Sequence, residues 1–215
     1  MPPPPRDRPG ESGGAPRGPA AEPDATLLTA RALAERCSYE REHTDQVVRL
    51  SLELFDALSA LHGRGEGDRR RLHFAALLHD IGVPEGTKGH HKRAAAKVLE
   101  DPGLALDRRE RLVVGSVARY HRKALPRQDH EHFAALPAED QDRVRCLAAI
   151  LRVADGLDRS HRGLVRHVAA EVRPDAIIVR CQADAPPGED LAAALKKGDL
   201  MEAVFGRRLR IEVVP

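Results

Sequence analysis

The sequence predicts a mainly α-helical protein, a helical bundle followed by a small C-terminal α+β tail. Three observations carry this. From Ala25 onward, apolar residues recur every three or four positions over some 140 residues. Beyond His167 the texture changes to short alternating or β-branched runs around Arg173-Pro174-Asp175. Residues 1–24 are Pro, Gly and charge with almost nothing to bury, the composition of a disordered tail. The boundaries drawn are therefore 1–24 for the tail, 25–166 for the helical domain and 167–215 for the α+β subdomain.

Taken in order, Ala25–Cys37 reads as a short helix. A second runs from about Ser38 to Leu61, with His43, Val47, Leu50, Leu54, Leu58 and Leu61 spaced 4, 3, 4, 4 and 3 along one face. Gly63–Asp68 is a loop, and Asp68–Ile81 a third helix with Leu72, Ala75 and His79 in line. After a Pro/Gly loop, His91–Glu100 carries His91, Ala95 and Val98 on one face, and Asp107–His121 carries Val113, Val117 and His121 at i, i+4 and i+8. Leu125–Pro137 reads as a polar loop. Ala138–Val165 reads as one long helix whose apolar stripe includes Val144, Leu147, Leu151, Asp155 and Asp158. The tail then reads β-β-α-β: strands over Val168–Val172, Ala176–Cys181 and Arg207–Val214, and a helix over Gly188–Phe205 ended by Gly206.

Composition narrows the function. The chain has 215 residues, 41% hydrophobic and 32% charged, with a formal net charge of +2, which is no footprint of a nucleic-acid binder. Aromatics make up 3% and Trp is absent, which argues against stacking platforms for single-stranded nucleic acid. No run approaches the roughly 20 apolar residues of a membrane span, and the N-terminus lacks the basic and apolar regions of a signal peptide. Cys37, Cys146 and Cys181 are odd in number and without CxxC spacing, as expected of reduced thiols. A cytoplasmic location is the expectation.

The chemistry lies in polar residues where apolar stripes run inward. His79-Asp80 ends the run Leu72–Leu78, and His43, His91, His121 and Asp155 sit on core-facing stripes. An unpartnered carboxylate such as Asp155 there is costly, so a partner is implied. A lone histidine on a helix face is ordinarily a satisfied core or surface residue; the recurrence on four helices points instead to a shared cation. His90 and His91 compete for one position, and helical phase with Ala95 and Val98 favours His91. Imidazole and carboxylate together suit Mn, Fe, Zn, Ni or Mg, as one or two ions. Two ions a few ångströms apart can clamp a phosphoryl oxygen and activate water. Cations stand beside the ligands: Lys92 and Arg93 follow His91, Arg122 and Lys123 follow His121, Arg127 lies further on, and Arg159 follows Asp158. Lys92, Arg122, Lys123 and Arg159 are the expected phosphate-binding residues, and Asp80, His121 and Lys92 the expected catalytic ones. His62, His73, His130, His132, His161 and His167 read as surface or supporting residues. Glu85 reads as a solvated loop residue.

These residues also carry a resemblance. His43, His79-Asp80 and Asp155 resemble the ordered H…HD…D signature of the HD-domain superfamily of metal-dependent phosphohydrolases, and His91 and His121 resemble the intervening histidines of its two-metal branch. Gly89–Arg93, Ala118–Pro126, Arg152–His161 and Leu200–Arg207 resemble the C-terminal HD domain of the exopolyphosphatase/guanosine-pentaphosphatase (Ppx/GppA) family. The likeness covers about residues 38–212, and nothing in the sequence corresponds to that family's actin-like catalytic domains. The resemblance implies a helical metal-binding module, which some members use for chain binding or regulation after losing its ligands; here the ligands are intact. His79-Asp80-Ile81-Gly82-Val83-Pro84 departs from the His-Asp-x-x-Glu-Asp of guanosine-tetraphosphate hydrolases. Arg122–Pro126 stands where cyclic-di-GMP phosphodiesterases have Gly-Tyr-Pro. The expected function is hydrolysis of a phosphate ester or anhydride, with a nucleotide or short polyphosphate as substrate. The alternative is a non-catalytic polyphosphate- or nucleotide-binding module that partners a separate exopolyphosphatase-type subunit. Expected partners are phosphorylated small molecules or polyphosphate, neither membrane nor duplex nucleic acid, with a homodimer left open.

Overall fold

A computed structural model describes residues 24–214. The tail expected over 1–24 lies, but for Asp24, outside the described residues. The bundle comprises α1 (Ala25–Arg36), α2 (Arg41–Ala57), the short α3 (Ser59–His62), α4 (Glu66–Leu78), α5 (His90–Glu100), α6 (Arg108–Arg119), the short α7 (Glu131–Ala134) and α8 (Ala138–Gly156). Asp24 and Asp107 cap α1 and α6 through their side chains, satisfying first-turn N–H groups. A single 3₁₀ turn, Val83–Glu85, links α4 to α5. No described helix is long and apolar enough to cross a membrane.

The sheet is built of β1 (Val165–Val172), β2 (Ala176–Ala183) and β3 (Arg208–Val214) in the order β1-β2-β3. β1 and β2 form an antiparallel hairpin with Val172 opposite Ile177, while β2 and β3 run parallel with Ala176 opposite Arg208. A parallel neighbour requires a crossover, supplied by α9 (Gly188–Lys197) and α10 (Asp199–Phe205).

The mainly α architecture with a small α+β tail is as the sequence predicts; several element boundaries are not, and the stretch Leu125–Pro137, expected as a loop, contains the short α7. The helix expected over Ser38–Leu61 begins only at Arg41, because Ser38 takes the left-handed φ of 53° in the turn between α1 and α2, and it stops at Ala57, with Leu58 as the C-cap before α3. The helix expected over Ala138–Val165 ends at Gly156, and β1 begins at Val165. The single helix expected over Gly188–Phe205 breaks at Gly198 into α9 and α10, which pack on α8 as well as on β3.

One continuous core runs through bundle and tail, joining Leu50, Leu54, Leu77, Leu147 and Ile150 to Val165, Ile177, Cys181 and Met201. α8 lies at its centre, and every residue from Cys146 to Gly156 is buried. A helix surrounded on all sides loses the polar face that a period-3.6 pattern needs. That is why its end is invisible to periodicity.

Candidate metal centre

The centre is assembled from helix ends. His43 lies in the first turn of α2, His79 is the C-cap of α4, and Asp80 follows it. His90 opens α5, His121 follows the C-cap of α6, and Asp155 is in the last turn of α8. Gly82 makes this convergence possible: a Cβ there would lie 2.3 Å from the His90 carbonyl oxygen and 3.0 Å from the Ala94 nitrogen. The chain after Asp80 therefore touches the start of α5, which brings His90 over Asp80.

Two triads result. His43, His79 and Asp155 form one, and Asp80, His90 and His121 the other, each with its ligand atoms within 4.8 Å of one another. In the first, Asp155 Oδ1 is 3.6 Å from His43 Nε2 and 3.9 Å from His79 Nε2. In the second, Asp80 Oδ1 is 3.1 Å from His90 Nε2 and 3.4 Å from His121 Nε2, and the two Nε2 atoms are 3.2 Å apart. The other oxygen of Asp80, Oδ2, faces the first triad, 3.6 Å from His79 Nε2. Asp80 thus joins both groups. Atoms bound 2.0–2.2 Å from one ion lie roughly 3–4 Å apart, so these spacings suit coordination.

The outer ring nitrogens explain why the inner ones converge. His79, His90 and His121 each donate from Nδ1 to a backbone carbonyl three residues earlier, Ala76 at 2.7 Å, Thr87 at 2.8 Å and Ala118 at 2.7 Å. His43 Nδ1 donates to Asp158 Oδ2 at 2.8 Å. With the proton held on Nδ1, Nε2 of His79, His90 and His121 presents a lone pair inward, the orientation that metal-binding histidines take from their outer partners; His43 does so once it releases the second proton that Asp155 and Asp158 favour. His43 Nε2, His79 Nε2 and Asp80 Oδ1 are buried without any hydrogen-bond partner. Buried polar atoms are seldom left so. Three of them aimed at common points fit a cation, and the donor set fits a divalent one.

Electrostatics agree. Burial alone would depress His43, but Asp155 and Asp158 outweigh it and raise its pKa to about 10. Burial pushes Asp155 upward, but Lys197 and His43 outweigh it and hold its carboxyl well below the usual range. Asp80 is likewise held low, against burial, by His79, His90 and His121. Burial dominates at His121, lowering its pKa to about 3. Asp80 is the most accessible of the six, with 20% of its side chain exposed.

Five of the six expected ligands converge: His43, His79, Asp80, His121 and Asp155. The sixth requires correction, because His90 and not His91 joins Asp80 and His121. His91 is buried beside them, its ring centre 6.4 Å from that of His121, with Nδ1 unpartnered and a pKa lowered to about 4 by burial and by His90. Helical phase rightly places His91 on an inward face. The triad, however, lies beyond the end of α5, where only the first helical residue reaches it.

Of the expected phosphate-binding residues, Arg122 is at the centre, with Nη1 3.4 Å from His90 Nε2. Lys92, Lys123 and Arg159 are exposed and make no ion pair or hydrogen bond with either triad among the described residues. Arg93 holds backbone instead, donating to Gly82 O at 3.1 and 3.0 Å and to Lys88 O at 2.9 Å. Two contributors, Asp158 and Lys197, are given no role by the sequence reading. Asp158 orients His43. His161, expected as a surface or supporting residue, takes the supporting role and stacks on the His43 ring at 3.9 Å. Lys197 pairs with Asp155 from α9, and no motif marks it.

The family model described as Ppx/GppA phosphatase, domain III, matches residues 27–180. The chain belongs to that family. The match runs from α1 into β2 and contains both triads, in agreement with the resemblance read from the sequence. The Leu200–Arg207 string and Lys197 lie beyond it. Membership makes this a phosphatase-related domain.

Proposed function

We propose that this Ppx/GppA domain is a metal-dependent phosphohydrolase acting on a phosphate ester or anhydride, with a nucleotide or short polyphosphate as substrate. The observation that carries the reading is Asp80, whose two oxygens face two separate groups of imidazoles. Each triad offers two imidazoles and one carboxylate, a set better suited to Mn, Fe, Zn or Ni than to Mg. His43, His79 and Asp155 would hold one ion, and His90 and His121 the other, with Asp80 shared. Such ions supply Lewis-acid polarisation of phosphoryl oxygens and activation of water.

The chain's own groups do the rest. Asp80, the least enclosed ligand, marks the face from which a substrate enters. Arg122, beside His90, neutralises phosphate oxygens, and the exposed Lys92, Lys123 and Arg159 draw an anion toward that face. Asp158 fixes the His43 ring and keeps its proton on Nδ1. Phosphoryl transfer needs little beyond such positioning and charge neutralisation.

The test is elemental analysis of the purified protein followed by turnover of bis-p-nitrophenyl phosphate, nucleotides and polyphosphate with Mn, Fe, Zn and Ni. Two ions per chain with metal-dependent turnover are expected. Absence of bound metal overturns the reading. Bound metal and bound polyphosphate without turnover of any substrate replace it with the regulatory module.

A further inference from the structure

Lys197 ends α9, and its ammonium pairs with Oδ2 of Asp155. That is the oxygen turned away from the first triad, since Oδ1 faces His43 and His79. The Lys197 side chain is 21% exposed, so it stands between the buried carboxylate and solvent. Among the described residues Asp155 is its one ion-pair partner.

The position is built. Arg152, 3% exposed, donates to the Lys197 carbonyl at 3.1 Å, to Asp199 Oδ1 at 2.7 Å and to the Tyr120 carbonyl at 3.2 Å, one residue before His121. Farther along, a Cβ on Gly156 would lie 2.4 Å from the Ala194 Cα, so α8 and α9 are in backbone contact. At the start of α9, the fully buried Asp190 accepts from the Ser160 nitrogen at 2.7 Å. α9 is pinned at both ends and in the middle, and Lys197 follows from that placement. Its neighbour Lys196 is exposed.

A buried carboxylate requires a compensating charge, and Lys197 supplies one to Asp155. A divalent ion on Oδ1 would supply another and leave the ammonium with surplus positive charge at a solvent-facing edge. Lysine's ammonium is compact, with three rotatable donors, and serves as a point charge for phosphate. We propose that Lys197 is a ligand-binding residue of this centre, donating to an oxygen of a phosphate-bearing anion from the Asp155 side as Arg122 does from the Asp80 side. The proposal rests on the reading that the triads hold divalent ions.

The experiment compares the full-length chain with Lys197→Met, Lys197→Arg and Lys196→Met, each loaded with Mn, titrated calorimetrically with inorganic phosphate and assayed for metal content. Lys197→Met should keep its metal but bind phosphate roughly 10- to 100-fold more weakly, the scale of one hydrogen bond to a charged group. Lys197→Arg should recover most of that, and Lys196→Met should match wild type. Unchanged phosphate affinity in metal-loaded Lys197→Met overturns the proposal. So does equal loss of metal from Lys197→Met and Lys197→Arg, which would make Lys197 a support for Asp155 alone. A wild type that holds metal but no phosphate overturns this proposal only; one that holds no metal overturns the functional reading with it.

Discussion

Asp80→Ala is the sharpest perturbation because one side chain serves both triads. In the metal-free protein it removes the approaches of Oδ1 to His90 Nε2 at 3.1 Å and of Oδ2 to His79 Nε2 at 3.6 Å, a loss common to both conditions that cancels when the melts with and without metal are compared. With metal present the effect should be large. An ion held at a hundredfold excess over its Kd stabilises the fold by about 2.7 kcal/mol, so two ions give about 5 kcal/mol. At 2–4 °C per kcal/mol for a chain of this size, that is a rise of roughly 10–20 °C in Tm. Removing Asp80 leaves His90 and His121 without a carboxylate and strips the shared oxygen from the first triad. At most one weakened ion then remains, and less than half of the rise. Calorimetric melting with and without Mn, together with elemental analysis, reads both quantities. An Asp80→Ala protein that keeps two ions and the full rise would refute the shared-carboxylate geometry.

Other consequences are equally concrete. His90→Ala should lose one ion and His91→Ala neither, measured as metal per chain; the reverse pattern would restore the choice made from helical phase. Metal affinity should rise about tenfold per pH unit between pH 7 and 9 and level off near 10, because His43, protonated below about 10, must release its proton to bind. The same raised pKa stabilises the metal-free fold fully below pH 6.5 and is lost as pH climbs to 10. An apparent Kd for Mn that is flat across that range would contradict this. Gly82→Ala must displace the His90 backbone, at an overpacking cost of about 1–3 kcal/mol in chemical denaturation and with loss of the second ion. Unchanged stability and metal content would show that α5 does not need that close approach.

How much of this was legible beforehand varies by residue. His43, His79 and Asp155 stand on apolar stripes at period 3.6, and a polar group on such a stripe must find a partner inside. That inference needs only the local pattern, and it reached five of six converging residues. Helical phase does not separate His90 from His91, because it reports which face of a helix packs inward and says nothing about what lies beyond its first residue. The end of α8 leaves no mark in the pattern, because a helix buried on every side has no polar face to lose.

Local pattern alone specifies the helical bundle and the hairpin around Arg173-Pro174-Asp175, since each follows from interactions between residues near in sequence, and polar residues on apolar stripes announce buried imidazoles and carboxylates. Long-range packing sets the rest: the cluster divides into two triads joined by Asp80, His90 completes the second, and Lys197 reaches Asp155 from 42 residues away. Those outcomes depend on how closely backbones approach, at Gly82 against His90 and at Gly156 against Ala194. Contacts between distant segments leave no periodic trace in the chain that makes them.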